Sequence, residues 1–112
     1  MTALSCSLVG TEQTVTILPH TRAAALYGAG VTTCVEDYYC NYGVNPAYRA
    51  RLEAAGMVVS GLGGNGEIRI VELPGHPFYL ATLFLPQTRS APGAPHRLLA
   101  GFADAVRQNV AV

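Results

Sequence analysis

Lysine is absent from this 112-residue sequence; the seven basic residues are all arginines, and seven acids balance them to a formal net charge of zero. They form no basic run, so no nucleic-acid partner is expected. Charged residues make up only 12% of the chain, about half the usual fraction, while half of the residues are hydrophobic. Such a surface is poorly defended against association. It predicts an apolar face buried against another subunit. No apolar run approaches the roughly 18 residues of a membrane span, and no basic segment precedes an apolar one at the N-terminus. Neither export nor membrane insertion is expected. The three cysteines (Cys6, Cys34 and Cys40) are an odd set without a secretory signal, which reads as free thiols in the cytoplasm. No His and Cys pair has metal-ligand spacing on one element, so no metal or other cofactor is expected.

What is present reads as one domain covering residues 1–112, without linkers or repeats. Leu4 to Val9 and Thr14 to Leu18 are β-prone runs, with Gly10-Thr11-Glu12-Gln13 between them as a hairpin turn. Thr21 caps a short helix, Arg22 to Tyr27, that stops at Gly28. Val31 to Cys34 and Tyr38 to Val44 read as strand or extended loop. Asn45 then caps a helix with Pro46 at its first position, ended by Gly56. Met57 to Ser60 and Ile68 to Leu73 are strands joined by Gly61-Leu62-Gly63-Gly64-Asn65-Gly66. That glycine-rich link lacks the Lys-Ser/Thr of a phosphate loop and joins two strands, so it reads as a hairpin. Phe78 to Leu85 reads as a buried strand. A last helix, from about Arg97 to Gln108, presents Leu98, Leu99, Phe102 and Val106 on one face. The expected fold is α+β, or part of an α/β domain, with a mainly antiparallel sheet and two to three helices.

An ordered series of segments resembles a known family. Leu83-Phe84-Leu85-Pro86-Gln87-Thr88-Arg89-Ser90 is similar to the Q-F-H-P-E-F-K-S segment near the C-terminal end of the glutamine amidotransferase domain of CTP synthase. Leu73-Pro74-Gly75-His76-Pro77-Phe78 resembles L-P-D-H-P-F of that family. Tyr42 to Leu52 resembles Y-E-V-N-P-E-Y-R-E-x-L, and Glu53-Ala54-Ala55-Gly56 with Ser60-Gly61 resembles E-E-A-G-L-V-x-S-G. Ala24-Ala25-Leu26-Tyr27-Gly28 resembles A-A-x-L-Y-G. Together they run from about residue 17 to 106, and they look closest to bacterial proteins related to the C-terminal region of CTP synthase, some of them selenoproteins. The resemblance implies the C-terminal half of a class I amidotransferase domain. A lone half would expose what the central strands cover, so it also implies a homodimer or a companion chain.

The departures from the family are chemical. Leu85 stands where the family has the His that activates a catalytic cysteine, and Gln87 where it has the orienting Glu. Leucine accepts no proton, and an amide does not hold an imidazole in its basic tautomer by charge. No G-x-C-x-G nucleophile elbow occurs. The E-R-H-R-H-R-Y-E run of the glutamine site corresponds to Glu36-Asp37-Tyr38-Tyr39-Cys40-Asn41-Tyr42-Gly43, with every Arg and His gone. Neither glutamine hydrolysis nor CTP synthesis is expected; a small polar metabolite or a partner protein is the expected ligand.

An enzymatic alternative centres on Cys40 as nucleophile or redox thiol, activated by Arg89, with Glu36 or Tyr38 carrying protons. In it Asn41, Tyr42, Gln87, Arg89 and Ser90 bind the ligand, Arg89 as a fork for a carboxylate or phosphate. Each also has an ordinary structural reading: a buried thiol, packed tyrosines, a solvated loop. His76 is expected in a structural turn, and His20 and His96 on exposed loops.

Overall fold

A computed structural model of the chain describes residues 2–4 and 7–109. In chain order the elements are β1 (Thr2–Ala3), β2 (Thr11–Ile17), α1 (Arg22–Tyr27), β3 (Thr33–Tyr38) and β4 (Tyr42–Gly43). A 3₁₀ turn (Pro46–Tyr48) then leads into α2 (Arg49–Ala54), β5 (Val58–Leu62), β6 (Ile68–Glu72) and β7 (Leu80–Thr82). A second 3₁₀ turn (Pro86–Arg89) precedes α3 (Arg97–Asn109).

Val15 and Ile17 are buried while Thr14 and Thr16, which alternate with them, are exposed, so β2 turns one face to the core. β3 lies antiparallel beside it, in register from Thr11 opposite Tyr38 to Thr16 opposite Thr33. The five-stranded sheet has the order β3-β2-β5-β6-β7, antiparallel throughout, and β1 pairs with β4 as a separate short ladder. Between β5 and β6 the register slips around Gly61, a bulge that bends the hairpin. A side chain there would strike Ile70, its Cβ falling 2.5 Å from Ile70 Cγ1. The antiparallel α+β fold with three helices is the one expected.

Local signals set the helix ends. Thr21 Oγ1 accepts from the Ala24 N–H at 3.1 Å, and Gly28, at φ 116°, returns its N–H to the Ala24 carbonyl. Asn45 Oδ1 accepts from the Ala47 N–H at 3.0 Å ahead of Pro46. Against the sheet, Ala23 of α1 and Leu98 of α3 join Val15, Ile17, Tyr38, Ile70 and Phe84 in the core.

Several expectations are corrected. The hairpin read between Leu4–Val9 and Thr14–Leu18 does not form: Thr11, Glu12 and Gln13 are strand residues because β3 supplies partners for them, and β2 pairs with β3 and β5 while the short strand before it pairs with β4. Of the run Leu4 to Val9, residues 5 and 6, including Cys6, lie outside the described residues. Tyr38 ends β3 instead of opening an extended run. The Phe78–Leu85 strand shortens to Leu80–Thr82 at the sheet edge, with Ala81 exposed. On α3 only Leu98 is buried; Leu99, Phe102 and Val106 are 37%, 52% and 48% exposed, so the apolar face extends beyond what the sheet covers.

Candidate functional site

Adjacent residues of β3 reach in opposite directions. Glu36 is buried, and its Oε2 accepts from the Tyr27 hydroxyl at 2.5 Å and meets His96 Nε2 at 2.7 Å. His96 Nδ1 accepts the Leu98 N–H at 3.1 Å, which caps α3. With Nδ1 accepting, the ring proton resides on Nε2 and is donated to Glu36. Burial, with the bond to Glu36 adding, pushes the Tyr27 phenol above its ordinary range. Glu36 Oε1 has no partner among the described residues. His96 is therefore interior, contrary to the exposed-loop expectation; its helix-capping bond and the carboxylate on β3 draw it in.

Asp37 faces outward. Its Oδ2 accepts from Thr88 Oγ1 at 2.8 Å and its Oδ1 from Arg89 Nη2 at 2.9 Å, while Leu85 N–H donates to the Asp37 carbonyl. These bonds with Thr88 and Arg89 hold the Asp37 carboxyl below the usual carboxylate range. Arg89 also bridges to Glu12 at 2.9 Å. The guanidinium is thus engaged by two carboxylates and ties the second 3₁₀ turn to β2 and β3. It is not the cation beside Cys40.

That neighbour is Arg69. Burial raises the Cys40 thiol pKa, and the Arg69 charge pulls it back only in part; the Sγ lies 3.9 Å from the Leu83 carbonyl. Tyr38 is 1% exposed, edge-on to Phe84 at 5.8 Å and under Arg69, whose Cζ is 5.7 Å from the ring centroid. Its hydroxyl has no partner among the described residues, and burial raises its pKa. Tyr38, Cys40 and Arg69 therefore form one cluster. Tyr42 and Asn41 are exposed near β4, where the Asn41 carbonyl accepts from Leu4. Gln87 is exposed, and Ser90 Oγ accepts from the His96 N–H at 3.0 Å. Sequence reading missed Tyr27, His96 and Arg69. For His96 the signal was its position one residue before an amphipathic run, where a helix cap belongs.

Curated CTP synthases match this chain: that of Methanoculleus marisnigri is 46% identical over 89 residues, and that of Rubrobacter xylanophilus 47% over 88. Among solved structures, the glutaminase domain of Trypanosoma brucei CTPS with bound acivicin superposes with a TM-score of 0.84 at 26% identity, covering 96% of this chain and 42% of that one. The chain is a relative of the CTP synthase glutaminase domain. No family model matches it. The Methanoculleus match takes in 80% of the chain but only 16% of that protein, so this CTP synthase relative spans about one sixth of the length of such enzymes. Among its described residues, no helix is long and apolar enough to cross a membrane.

Proposed function

We propose that this CTP synthase relative is a glutaminase-type domain without glutaminase activity, serving to bind a small polar metabolite or a partner protein. One observation carries the reading. The segment after β7 keeps its fold, with Leu85 bonded to β3 and Thr88 and Arg89 anchored on Asp37, yet it presents Leu85 and Gln87 where the resembled segment has His and Glu. A scaffold held this firmly without a proton acceptor supports recognition better than hydrolysis. Release of ammonia from glutamine by the purified 112-residue chain is the test. A rate indistinguishable from buffer is expected, and glutamine-dependent ammonia would sink the proposal.

The Cys40-centred alternative is less well supported, because its thiol is shifted away from the thiolate and Arg89 is occupied. A partner is supported by the large hydrophobic side chains left exposed on α3. Leu99, Phe102 and Val106 place apolar area on α3, and a second copy or a companion chain is the proposed cover. The cytoplasm is the compartment proposed for the three thiols.

A further inference from the structure

We infer that the groove between β4 and the β5–β6 hairpin is a binding site for a small monocarboxylate that also carries an N–H or O–H donor, with Arg69 as its anchor. This rests on the non-glutaminase binding reading and gives it a ligand class and a location.

Arg69 packs over the Tyr38 ring but makes few hydrogen bonds to the described residues. The Arg69 side chain is 8% exposed. Of its five N–H donors, the described residues engage one, Nη1 to the Ile68 carbonyl, at a long 3.4 Å. The carboxylate of Glu67 stands 4.0 Å from Nη2, beyond hydrogen-bond reach. Donors of the fork thus stay unused by the described residues, and an anion in the groove would engage them. A carboxylate matches the two parallel N–H groups of a guanidinium edge.

The surroundings leave room for one. Arg69 lines a groove of about 430 Å³ together with Gly43, Gly63, Gln13, Asn65 and Glu67. Gly63 keeps the guanidinium approachable: a Cβ there would lie 3.1 Å from Arg69 Nε and 2.6 Å from Glu67 Oε2, whereas Gly43 makes room for the Leu4 side chain, whose Cδ2 a Cβ would meet at 2.8 Å. Glu67 selects the charge. Burial acts to raise its pKa, but its own and Asn65's backbone N–H groups and Arg69 outweigh this, so the carboxyl sits below its usual range. Ionised at neutral pH, it repels a second negative charge on a ligand and accepts from a ligand donor. Gln13 and Asn65 add neutral hydrogen-bonding groups.

Two-dimensional ¹H–¹⁵N NMR of the full chain, following the Arg69 Nε–Hε and the Gly43 and Gly63 amides, tests this with sodium lactate as probe. Sodium chloride controls for ionic strength, and inorganic phosphate is the competing anion. Saturable, millimolar shifts at these three groups with lactate, weaker with phosphate, are expected. Arg69→Met should abolish them. Should Arg69→Met fail to fold, Gly63→Ala, which pushes a methyl into the fork while keeping the charge, should weaken lactate at least tenfold. Glu67→Gln should narrow the preference for lactate over phosphate. No saturable shift in the parent chain, shifts that persist in Arg69→Met, lactate binding unchanged in Gly63→Ala, or phosphate binding as tightly as lactate would each overturn the site. Ammonia release from glutamine is read separately: it would sink the non-glutaminase reading whatever the spectra show, whereas missing lactate shifts would remove only this site.

Discussion

The carboxylate of Glu72, at the end of β6, accepts the backbone N–H of Arg22 at 2.7 Å, and its second oxygen accepts that of Ala23 at 3.1 Å. Two free donors at the start of α1 are thereby satisfied by a residue about fifty positions away. A six-residue helix does not stand alone in water, so this clamp and the Thr21 cap fix α1 to the sheet. Glu72→Ala is expected to cost about 1–3 kcal/mol in urea unfolding, with faster amide exchange at Arg22 and Ala23. Glu72→Gln, which keeps an acceptor, should lose less. Unchanged exchange at both amides in Glu72→Ala would show that the clamp contributes nothing.

Removing one member of a buried polar pair leaves the other stranded. His96→Ala takes a partner from Glu36 and a cap from α3, and an expected loss of about 3–5 kcal/mol follows. Tyr27→Phe removes only one bond to the same oxygen and should cost about 1 kcal/mol. Chemical denaturation of the two variants separates them; equal losses would contradict the geometry.

Burial drives the Cys34 thiol up to about 11, the Tyr27 bond opposing and Glu36 reinforcing the shift. A free thiol ionises at about 8.5 in the unfolded chain. The folded state therefore has the full benefit of the neutral thiol below that value, and loses it as pH rises towards 11. Site-resolved alkylation of folded protein should show Cys34 slow until strongly alkaline pH, and Cys40 also with a midpoint above the ordinary thiol value. A Cys40 midpoint below that value would revive the enzymatic alternative.

At Gly61, the bulge presses against the Ile70 side chain. Gly61→Ala should destabilise by about 1–3 kcal/mol through overpacking. Combined with Ile70→Ala the loss should be less than additive, because the smaller partner removes the clash. Strict additivity in a double-mutant cycle would place the strain elsewhere.

Much of this fold was legible because it is locally encoded. Thr21 and Gly28 bracket α1, Asn45 and Pro46 open the next helical turn, and the glycine-rich link joins an antiparallel hairpin, all within a few residues of the structure they cause. The failures share the opposite property. Thr11 to Gln13 read as a turn until β3 supplied its ladder, and His96 read as a loop residue until a carboxylate distant in sequence claimed it. The α3 stripe was correctly apolar, but periodicity does not say how far a sheet extends beneath a helix. In the candidate site, Glu36 and Tyr38 were found on β3 with Cys40 just beyond it. Arg69 was not, since an arginine between Ile68 and Ile70 reads as the solvent face of a strand.

The bond between Glu36 and His96 spans sixty residues of chain, whereas that between Tyr27 and Glu36 spans nine. During synthesis the antiparallel β2–β3 pair, with α1 in its connection, can form early, but its inward carboxylate waits for α3 to emerge. Until then it must stay hydrated, which holds that edge of the sheet open. The domain is therefore expected to lock only when the segment around His96 has left the ribosome, so that a release in final packing coincides with the arrival of one imidazole.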